Sequence, residues 1–322
     1  MASEPKTLQE AILYFADPVN CREYLVARRW PNGATCPRCG SQNVLFLEKY
    51  NRWHCREKHN APQFTLKTGT VMEESHVGLD KWMTAMWQIV NCKNGISSYE
   101  IHRALGVTQK SAWFMMHRIR LAMQTKSFLK MGGSGKAIEA DESFIGGAAR
   151  FMHKERRGRM ITARGVKDKA AAFGILERGG EVRVFAVPNR RKKALQSHIS
   201  EHVEEGSPIY TDALMSYMGL NEKFQHDVID HAERYVRGNV HTNGLENFWS
   251  LLKRGLKGTY VSTEPFHLFR YLDEQAFRYN HRATKDNPLN DGDRFEMVMS
   301  HIVGKRLTFA EVTGKEGETR TN

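Results

Sequence analysis

The sequence predicts a mixed α/β chain, in which a sheet flanked by helices follows a short cysteine-containing segment and a helical region. From Lys136 onward, segments with strand-like and helix-like patterns alternate along the chain. Between residues 79 and 124, apolar residues recur instead at the spacing of amphipathic helices. Upstream of both, three of the five cysteines fall within residues 36–55. These patterns predict consecutive segments of different structure.

The N-terminal segment is predicted to be helical. Asp17 followed by Pro18 is a favourable N-cap and first-turn pair for a helix that runs to Trp30, where the following Pro-Asn-Gly ends it. No apolar run is long enough to cross a bilayer, and the start of the sequence lacks the blocks of a secretory signal. We therefore expect a cytosolic protein that has no membrane partner.

The charge of the chain points to a polyanionic partner. The formal net charge is +12, and a globular chain this basic usually binds nucleic acid. The alternative is that the charge serves solubility alone. Nucleic acid is the better interpretation of the two.

The cysteine cluster predicts a zinc ribbon. Five cysteines are odd in number and sparse, so a disulfide framework is not expected. Cys36 and Cys39, two residues apart, would direct both thiolates at one tetrahedral zinc ion, with Cys55 as a third ligand. The fourth ligand is His59 or His54. We prefer His59, because His54 and Cys55 are adjacent and would point apart on an extended strand. The alternative is a Cys-x-x-Cys pair without metal.

The helical region contains a candidate helix-turn-helix. Gly106 makes the turn and Thr108 caps the second helix. The second helix has a predicted buried stripe of Ala112, Met116, Ile119 and Met123. Residues expected at or near its outer surface, where they would contact DNA, are Gln109, Lys110, His117, Arg118 and Arg120. The alternative is an ordinary pair of packed helices.

Three acidic residues follow strand and helix patterns in the second half of the chain. Asp141 stands in the strand-like AIEADESFIGG, Asp212 ends the strand-like PIYTD, and Glu246 lies in the helical HTNGLENFWSLLKRG. Carboxylates from two strands and a helix can hold one or two Mg²⁺ ions, which prefer oxygen ligands. Two such ions can activate a nucleophile and stabilise the leaving oxygen of a phosphodiester.

The helix that contains Glu246 is amphipathic. Its apolar side, predicted to pack on the sheet, consists of Leu245, Phe248, Trp249 and Leu252. Its other side presents Asn243, Glu246 and Lys253. Lys253 would contact a phosphate from the same helix face as Glu246.

Each acidic residue also has a structural alternative. Asp212 could cap the turn after its strand, and Glu246 could be a solvated helix residue. Glu139 or Glu142 could replace Asp141 as a ligand, although Glu139 and Asp141 lie on one face of the strand and Glu142 on the other. The hypothesis of a metal site therefore depends on the set rather than on any one residue.

Basic side chains recur around this acidic set and predict a long DNA-binding track. The candidates are Arg156, Arg157, Arg191, Lys192 and Arg254. His231 and His241 precede the Glu246 helix, and structural roles are at least as plausible for them as metal or DNA contacts.

These motifs resemble insertion-sequence transposases of the DDE type, in the group with an N-terminal zinc ribbon (the IS1595 group). The resemblance extends from CPRCG and FTLKTGT through LGVTQKSAW, DESFIGG and YTDA to YVRGNVHTNGLENFWSLLKRGLKG and RYLDEQAFRYN. It implies an RNase H-like core in which Asp141 and Asp212 are the first two metal ligands. Glu246 or Asn243 would be the third. We favour Glu246, because a carboxylate is the stronger Mg²⁺ ligand and because Glu246 and Lys253 have the Glu-x6-Lys spacing of DDE transposases.

The resemblance also implies the reaction and the domain organisation. A bacterial cytoplasmic enzyme, associated with the nucleoid when bound to DNA, would bind terminal inverted repeats in double-stranded DNA, use Mg²⁺ or Mn²⁺ to nick them, and join the 3′-hydroxyl to target DNA as a homo-oligomer. Two alternatives are an RNase H-like nuclease without strand transfer and a DNA-binding regulator with an inactive core. The predicted domains are N-terminal helices (1–32), zinc ribbon (33–75), helix-turn-helix domain (76–131), RNase H-like catalytic domain (136–303) and C-terminal tail (304–322). Within the tail, the final TGKEGETRTN is expected to be disordered.

Overall fold

The computed structural model describes the chain in two compact units. The described residues are 4–124, 129–133, 135–146, 154–155, 158, 169–229, 240–261 and 263–314. Unit 1 contains residues 1–124 and 283–322, and unit 2 contains residues 125–282. Over the described ranges, every helix is too short or too polar to cross a membrane.

The described helices, in chain order, are α1 (Leu8–Ala16), α2 (Pro18–Arg29), α3 (Leu79–Asn91), α4 (Ser98–Leu105), α5 (Gln109–Met123), α6 (Lys192–His202), α7 (Asn243–Gly255), α8 (Leu268–Asn280), α9 (Asp291–Ser300) and α10 (Phe309–Val312). The strands are β1 (Val44–Leu47), β2 (Arg52–Cys55), β3 (Gln63–Phe64), β4 (Ile138–Ile145), β5 (Ala170–Glu177), β6 (Val182–Val187), β7 (Pro208–Asp212) and β8 (Gln225–Ile229). A π-helical turn, Leu256–Tyr260, continues α7.

Unit 1 combines a small sheet with a helical core. The sheet is antiparallel, in the order β1-β2-β3, and Trp53 of β2 packs between Trp30 and Phe64. The predicted start of α2 is confirmed, because the Asp17 side chain accepts a hydrogen bond from the backbone N–H of Val19, and Pro18 is the first helical residue.

The last described helices belong to unit 1 rather than to unit 2. Phe295 of α9 packs its ring against Phe15 of α1 and Trp87 of α3, with centroids 5.6 and 5.1 Å apart. Arg294 also donates a hydrogen bond to the side chain of Asn91 at 2.8 Å. The predicted catalytic domain, residues 136–303, therefore extends further than unit 2, since α9 buries its apolar face in unit 1.

Unit 2 is built on one mixed five-stranded sheet in the order β6-β5-β4-β7-β8. The strands β6, β5 and β4 pair antiparallel, whereas β4, β7 and β8 pair parallel. The predicted hairpin is present, with β5 and β6 joined by a turn in which Gly179 has a positive φ of 75°. Such a backbone conformation favours glycine.

Helices cover both faces of this sheet. On one face, Leu195 and Ile199 of α6 pack against Ile138 and Ala140 of β4. On the other face, α7 and α8 pack against β5 and β6 through a second core. The predicted apolar side of α7 is confirmed, because Leu245, Phe248, Trp249 and Leu252 are all buried. The strand order and the two helical layers form the RNase H-like arrangement that the resemblance implies.

Candidate functional site

Three carboxylates meet where two neighbouring parallel strands carry acidic residues. The β4–β7 register pairs Glu139 with Tyr210, so Asp141, two residues on, lies level with Asp212 at the end of β7. The Glu142 side chain joins them, and ligand oxygens of the three residues lie within 4.8 Å of one another. The structure thus brings together the two aspartates predicted from the sequence.

The Asp141 carboxylate is held in a fixed position. It accepts hydrogen bonds from the backbone N–H of Glu142 at 2.8 Å and from Trp249 Nε1 at 3.0 Å. Burial, together with the charges of Glu142 and Asp212, raises the pKa of Asp141 to about 7, although the two hydrogen bonds act in the opposite direction. Carboxylates crowded in this way disfavour each other's ionisation.

Glu142 reaches the cluster from the other side of the sheet. Its carboxylate accepts a hydrogen bond from the Tyr217 hydroxyl at 2.9 Å and lies 3.7 Å from Arg190 Nη1. Burial and then the charge of Asp212 raise its pKa. Because β7 ends at Asp212, no strand residue of the described ranges stands beside β4 on that edge from Glu142 onward, and the longer glutamate side chain can bend toward Asp212.

An open cleft of about 570 Å³ lies next to this cluster. It is lined by Asp141, Glu142, Ser143, Glu246, Trp249, Ser250, Lys253, Arg254 and Lys257. Both Glu246 and Lys253 therefore face the cleft, as the helical pattern predicts. Asn243, the exposed first residue of α7, is not among the lining residues. Burial lowers the pKa of Lys253, and the negative charge of Asp141 opposes this shift.

The donor set fits a hard divalent cation. Three clustered carboxylates supply only oxygen ligands, the kind that Mg²⁺ prefers. The raised pKa of Asp141 arises in part from neighbouring negative charges, which a divalent cation would offset. Asp141 and Asp212 are the residues that would hold it, and both Glu142, beside them, and Glu246, which lines the same cleft, offer a further carboxylate.

A second cluster fits zinc. Cys36, Cys39, Cys55 and His59 place ligand atoms within 4.8 Å of one another. The distance from Cys36 Sγ to His59 Nε2 is 3.5 Å, and that from Cys39 Sγ to Cys55 Sγ is 3.6 Å. Tetrahedral zinc with these ligand types requires separations of about 3.5–3.8 Å. His54 lies on β2 opposite Leu45 and is not part of the cluster.

Two neighbouring contacts prepare this cluster for metal. The Nδ1 atom of His59 lies 2.8 Å from the carbonyl oxygen of Asn60, which orients the ring with Nε2 toward the cysteines. Burial opposes ionisation of Cys36, but hydrogen bonds from the backbone N–H groups of Cys39 and Arg38 and from the side chains of Cys39 and Cys55 together outweigh it and lower the pKa of the thiol to about 7.

Comparison with known proteins identifies the family. Residues 132–280 match the ISXO2-like transposase domain, and residues 17–57 match the transposase zinc-ribbon domain. The chain is 27% identical over 241 residues to a protein in transposable element ISH50 of Halobacterium salinarum. This alignment covers 71% of this chain and 79% of the relative. The chain is also 35% identical over 107 residues to a transposase-like protein of Haemophilus influenzae. That alignment covers 33% of this chain and 85% of the relative.

This chain belongs to the IS1595 group of insertion-sequence transposases. The zinc-ribbon match and the Cys₃His cluster together support a structural zinc ion in the transposase. The match to the transposase domain covers Asp141, Asp212 and Glu246.

The transposase does have two helices joined at Gly106, but much of the second helix is buried. Gly106 ends α4 in the left-handed conformation, and the Thr108 side chain caps α5 by accepting from the N–H of Ser111. The predicted apolar stripe is confirmed, since Ala112, Met116, Ile119 and Met123 are all buried.

The prediction that His117, Arg118 and Arg120 face outward is wrong. They are only 0, 5 and 1% exposed. Arg118 donates hydrogen bonds to the carbonyl oxygens of Leu307 and Glu73, at 2.9 and 2.7 Å. These basic side chains are buried because segments distant in sequence enclose α5, so they are not available to DNA.

The other predicted DNA-binding residues differ in exposure. Lys110 is exposed at the start of α5, whereas Gln109 is half-buried and donates to the Ser98 hydroxyl at 2.9 Å. The side chains of Arg191, Lys192 and Arg254 are exposed, and Arg254 lines the cleft. Residues 304–314 of the predicted tail are described and include the short helix α10. Outside the described residues lie Arg156, Arg157, His231 and residues 315–322 of the tail.

Sequence reasoning missed several residues around the carboxylate cluster. Tyr217 and Arg190 contact Glu142, and neither belongs to a recognisable motif. Arg190 stands next to the predicted Arg191 in the basic run NRRKKA. This run is the one sequence feature that could have indicated Arg190 as a residue of the site. Trp249 was predicted only as a core residue, yet its indole N–H also contacts Asp141.

Proposed function

We propose that this transposase binds the terminal inverted repeats of its element, nicks the DNA at the element ends, and transfers the exposed 3′-hydroxyl to target DNA. One observation carries the proposal. The Asp141, Glu142 and Asp212 carboxylates cluster within 4.8 Å, next to a cleft that Lys253, Arg254 and Lys257 line. A carboxylate centre beside cationic side chains suits a phosphodiester, which needs metal ligands on one side and phosphate partners on the other.

The chemistry has two related steps. In the first, a water oxygen bonds to phosphorus and the bond to the 3′-oxygen breaks, which leaves a 3′-hydroxyl. In the second, that hydroxyl oxygen bonds to a target phosphorus and the target's own 3′-oxygen leaves. Mg²⁺ or Mn²⁺, when bound, would activate the attacking oxygen and stabilise the leaving one.

The chain's own residues position the reactants. Asp141 and Asp212, side by side on parallel strands, present carboxylate oxygens in fixed directions, and the Trp249 indole restrains Asp141. Lys253, Arg254 and Lys257 follow one another along the end of α7 and its π-helical continuation. We assign them to backbone phosphates that flank the scissile bond, since such contacts fix register.

We assign the third ligand position to Glu246. Its side chain lines the cleft with Asp141 and Glu142, whereas Asn243 does not. The Thr242 hydroxyl lies 3.4 Å from a Glu246 carboxylate oxygen. Among the described residues, the tight carboxylate cluster contains Asp141, Glu142 and Asp212 but not Glu246. Glu246 would therefore act as a metal ligand only when the bound metal ions and DNA fill the cleft between it and the cluster.

DNA recognition is assigned to unit 1. The zinc ribbon and the exposed start of α5, where Lys110 stands, are the candidate contacts with the inverted repeats. Exposed Arg191 and Lys192, together with Arg254 in the cleft, are candidates in unit 2. Assembly of two or more copies on paired ends is part of this proposal.

A strand-transfer assay with a pre-cleaved element end tests the function. The proposal expects joined product that depends on Mg²⁺ or Mn²⁺. Hydrolysis of an intact end without any joined product would instead favour an RNase H-like nuclease. Tight, specific binding of the end with no cleavage in either metal would favour a DNA-binding regulator.

A further inference from the structure

Glu139 is a buried charged residue two positions before Asp141 on β4. Its side chain is 1% exposed. One carboxylate oxygen, Oε2, accepts a hydrogen bond from the backbone N–H of Leu245 at 3.0 Å, and the other, Oε1, lies 2.9 Å from Arg178 Nε. A buried carboxylate needs such partners, because an uncompensated charge in the interior is strongly unfavourable.

Arg178 connects the Glu139 carboxylate to His241, which precedes Thr242, the N-cap residue of α7. Its Nη2 atom donates to the carbonyl oxygen of His241 at 2.7 Å and lies 2.8 Å from His241 Nδ1. The guanidinium also lies over the Tyr210 ring, 4.7 Å from the centroid. The entry to α7 is therefore attached to the sheet by both Glu139 and Arg178.

The first turn of α7 is adapted to this carboxylate. The side chain of the N-cap residue, Thr242, accepts no hydrogen bond from a backbone N–H of the first turn. A negative charge near a helix N-terminus is favourable, and Glu139 supplies it from the sheet. A Cβ at Gly244 would stand 2.8 Å from Glu139 Oε2 and 2.9 Å from Leu176 Cδ2. Glycine at this position allows the helix to approach the sheet.

We propose that Glu139 and Arg178 are positioning residues for catalysis, a role that rests on the proposed function. Strand β4 then carries both Asp141 and, on the same face, the anchor of the helix that bears Glu246. The anchor sets the distance between Asp141 and Glu246 before metal or DNA binds. Outer partners of this kind determine how well ligands are oriented toward a cation.

Glu177→Gln is the matched control for Glu139→Gln. Glu177 accepts from the N–H of Gly132 and from Lys136 Nζ, each at 2.8 Å, so it also combines a backbone hydrogen bond with an ion pair. Neither of these partners belongs to α7. Both substitutions remove a charged acceptor and an ion pair, but only Glu139→Gln changes a contact with α7.

Hydrogen–deuterium exchange of the full-length, metal-free protein tests the anchor. Glu139→Gln should accelerate exchange over residues 243–249 by roughly tenfold or more, since the substitution turns a charged acceptor into a neutral one and removes the ion pair with Arg178. Glu177→Gln should leave this segment at the wild-type rate. Equal exchange in wild type and Glu139→Gln would overturn the anchor.

Cleavage as a function of Mn²⁺ concentration tests the positioning role. In Glu139→Gln the concentration for half-maximal cleavage should rise by roughly 10–100-fold, with element-end binding unchanged. A wild-type metal requirement in a folded Glu139→Gln protein would overturn the role. If the wild-type protein itself cleaves nothing, the proposed function fails, while the exchange comparison still decides whether Glu139 holds the helix.

A second variant leaves the buried charges intact. Gly244→Ala adds a methyl group that pushes α7 away from Glu139 and Leu176, so it should raise the metal requirement in the same direction. Asn247→Ala, at an exposed position of the same helix, is its control and should behave as wild type. If Gly244→Ala and Asn247→Ala have the same metal requirement, the inference is wrong.

Discussion

Trp249 Nε1 donates a hydrogen bond to Asp141 Oδ2 at 3.0 Å and so joins α7 to β4, the central strand of the sheet. Gly174, the antiparallel partner of Asp141 on β5, makes room for this contact. A Cβ at Gly174 would stand 2.9 Å from both Leu245 Cδ2 and Trp249 Cζ2. The indole thus reaches the carboxylate across a strand position that has no side chain.

Trp249→Phe should reduce metal-dependent cleavage by roughly tenfold while the protein remains folded. Phenylalanine keeps most of the packing but removes a donor to a charged group, an interaction of about 1.5–3 kcal/mol. Trp82→Phe in unit 1 is the control, because it removes a similar indole hydrogen bond, to Ser75 at 3.0 Å, away from the site. Cleavage rates and thermal unfolding of both variants provide the check. Equal cleavage by the two variants would contradict a role for the indole.

The stability of the metal-free protein should fall with rising pH because of Asp141. Its pKa rises from the ordinary 3.8 to about 7 on folding. The folded state therefore holds the proton more tightly, and this stabilisation is complete below about pH 4 and lost as the pH rises through 7. Asp141→Asn does not ionise. Its Tm relative to wild type should therefore be higher at about pH 8 than at about pH 5, in the presence of a chelator.

Asp227→Asn provides the comparison for this pH dependence. Asp227 is exposed on β8, the edge strand beside β7. Its substitution should change Tm by a similar amount at both pH values. A difference between Asp141→Asn and wild type that does not vary with pH would show that Asp141 ionises as an ordinary carboxyl in the folded protein.

Glu246→Gln should abolish cleavage, whereas Asn243→Ala should retain most of it. A neutral amide is a weaker Mg²⁺ ligand than a carboxylate, and Glu246 lines the cleft. Both variants should bind element-end DNA as wild type does, which a mobility-shift assay measures. Full activity in Glu246→Gln combined with loss in Asn243→Ala would move the third ligand to Asn243.

His59→Ala should lower the zinc content of the purified protein, and His54→Ala should not. Both histidines lie near Cys55, but the structure places only His59 in the ligand cluster. Metal analysis should give one zinc per chain for wild type, and loss of zinc should weaken end binding because the small ribbon depends on it. Zinc retained in His59→Ala and lost from His54→Ala would reverse the assignment.

Periodic patterns predicted the elements that position the site. The apolar stripe of α7 and the strands that carry Asp141 and Asp212 were all visible as local patterns, because burial of one face imposes a period on the sequence. The packing of α9 against the N-terminal helices was not predictable from such patterns. Phe295 of α9 packs against Phe15 and Trp87, which are distant in sequence, and no local pattern specifies such contacts.

The side chains of Glu142 and Arg118 lie elsewhere than the sequence patterns indicated, for the same physical reason. Strand alternation assigned Glu142 to the far face, but its long side chain reaches Asp212 at the end of β7. Helical periodicity assigned Arg118 to the surface, but segments near Glu73 and Leu307 cover it. Alternation and periodicity describe one element at a time, whereas both outcomes depend on what lies beside that element.

The role of the carboxylate cluster is decided by Mg²⁺-dependent nicking of a labelled element end with the Asp141→Asn and Asp212→Asn variants. Both variants should lose nicking while they bind the end with wild-type affinity, and Asp227→Asn should retain full activity. Wild-type nicking by Asp141→Asn or Asp212→Asn would contradict the assignment of this carboxylate cluster as the catalytic centre.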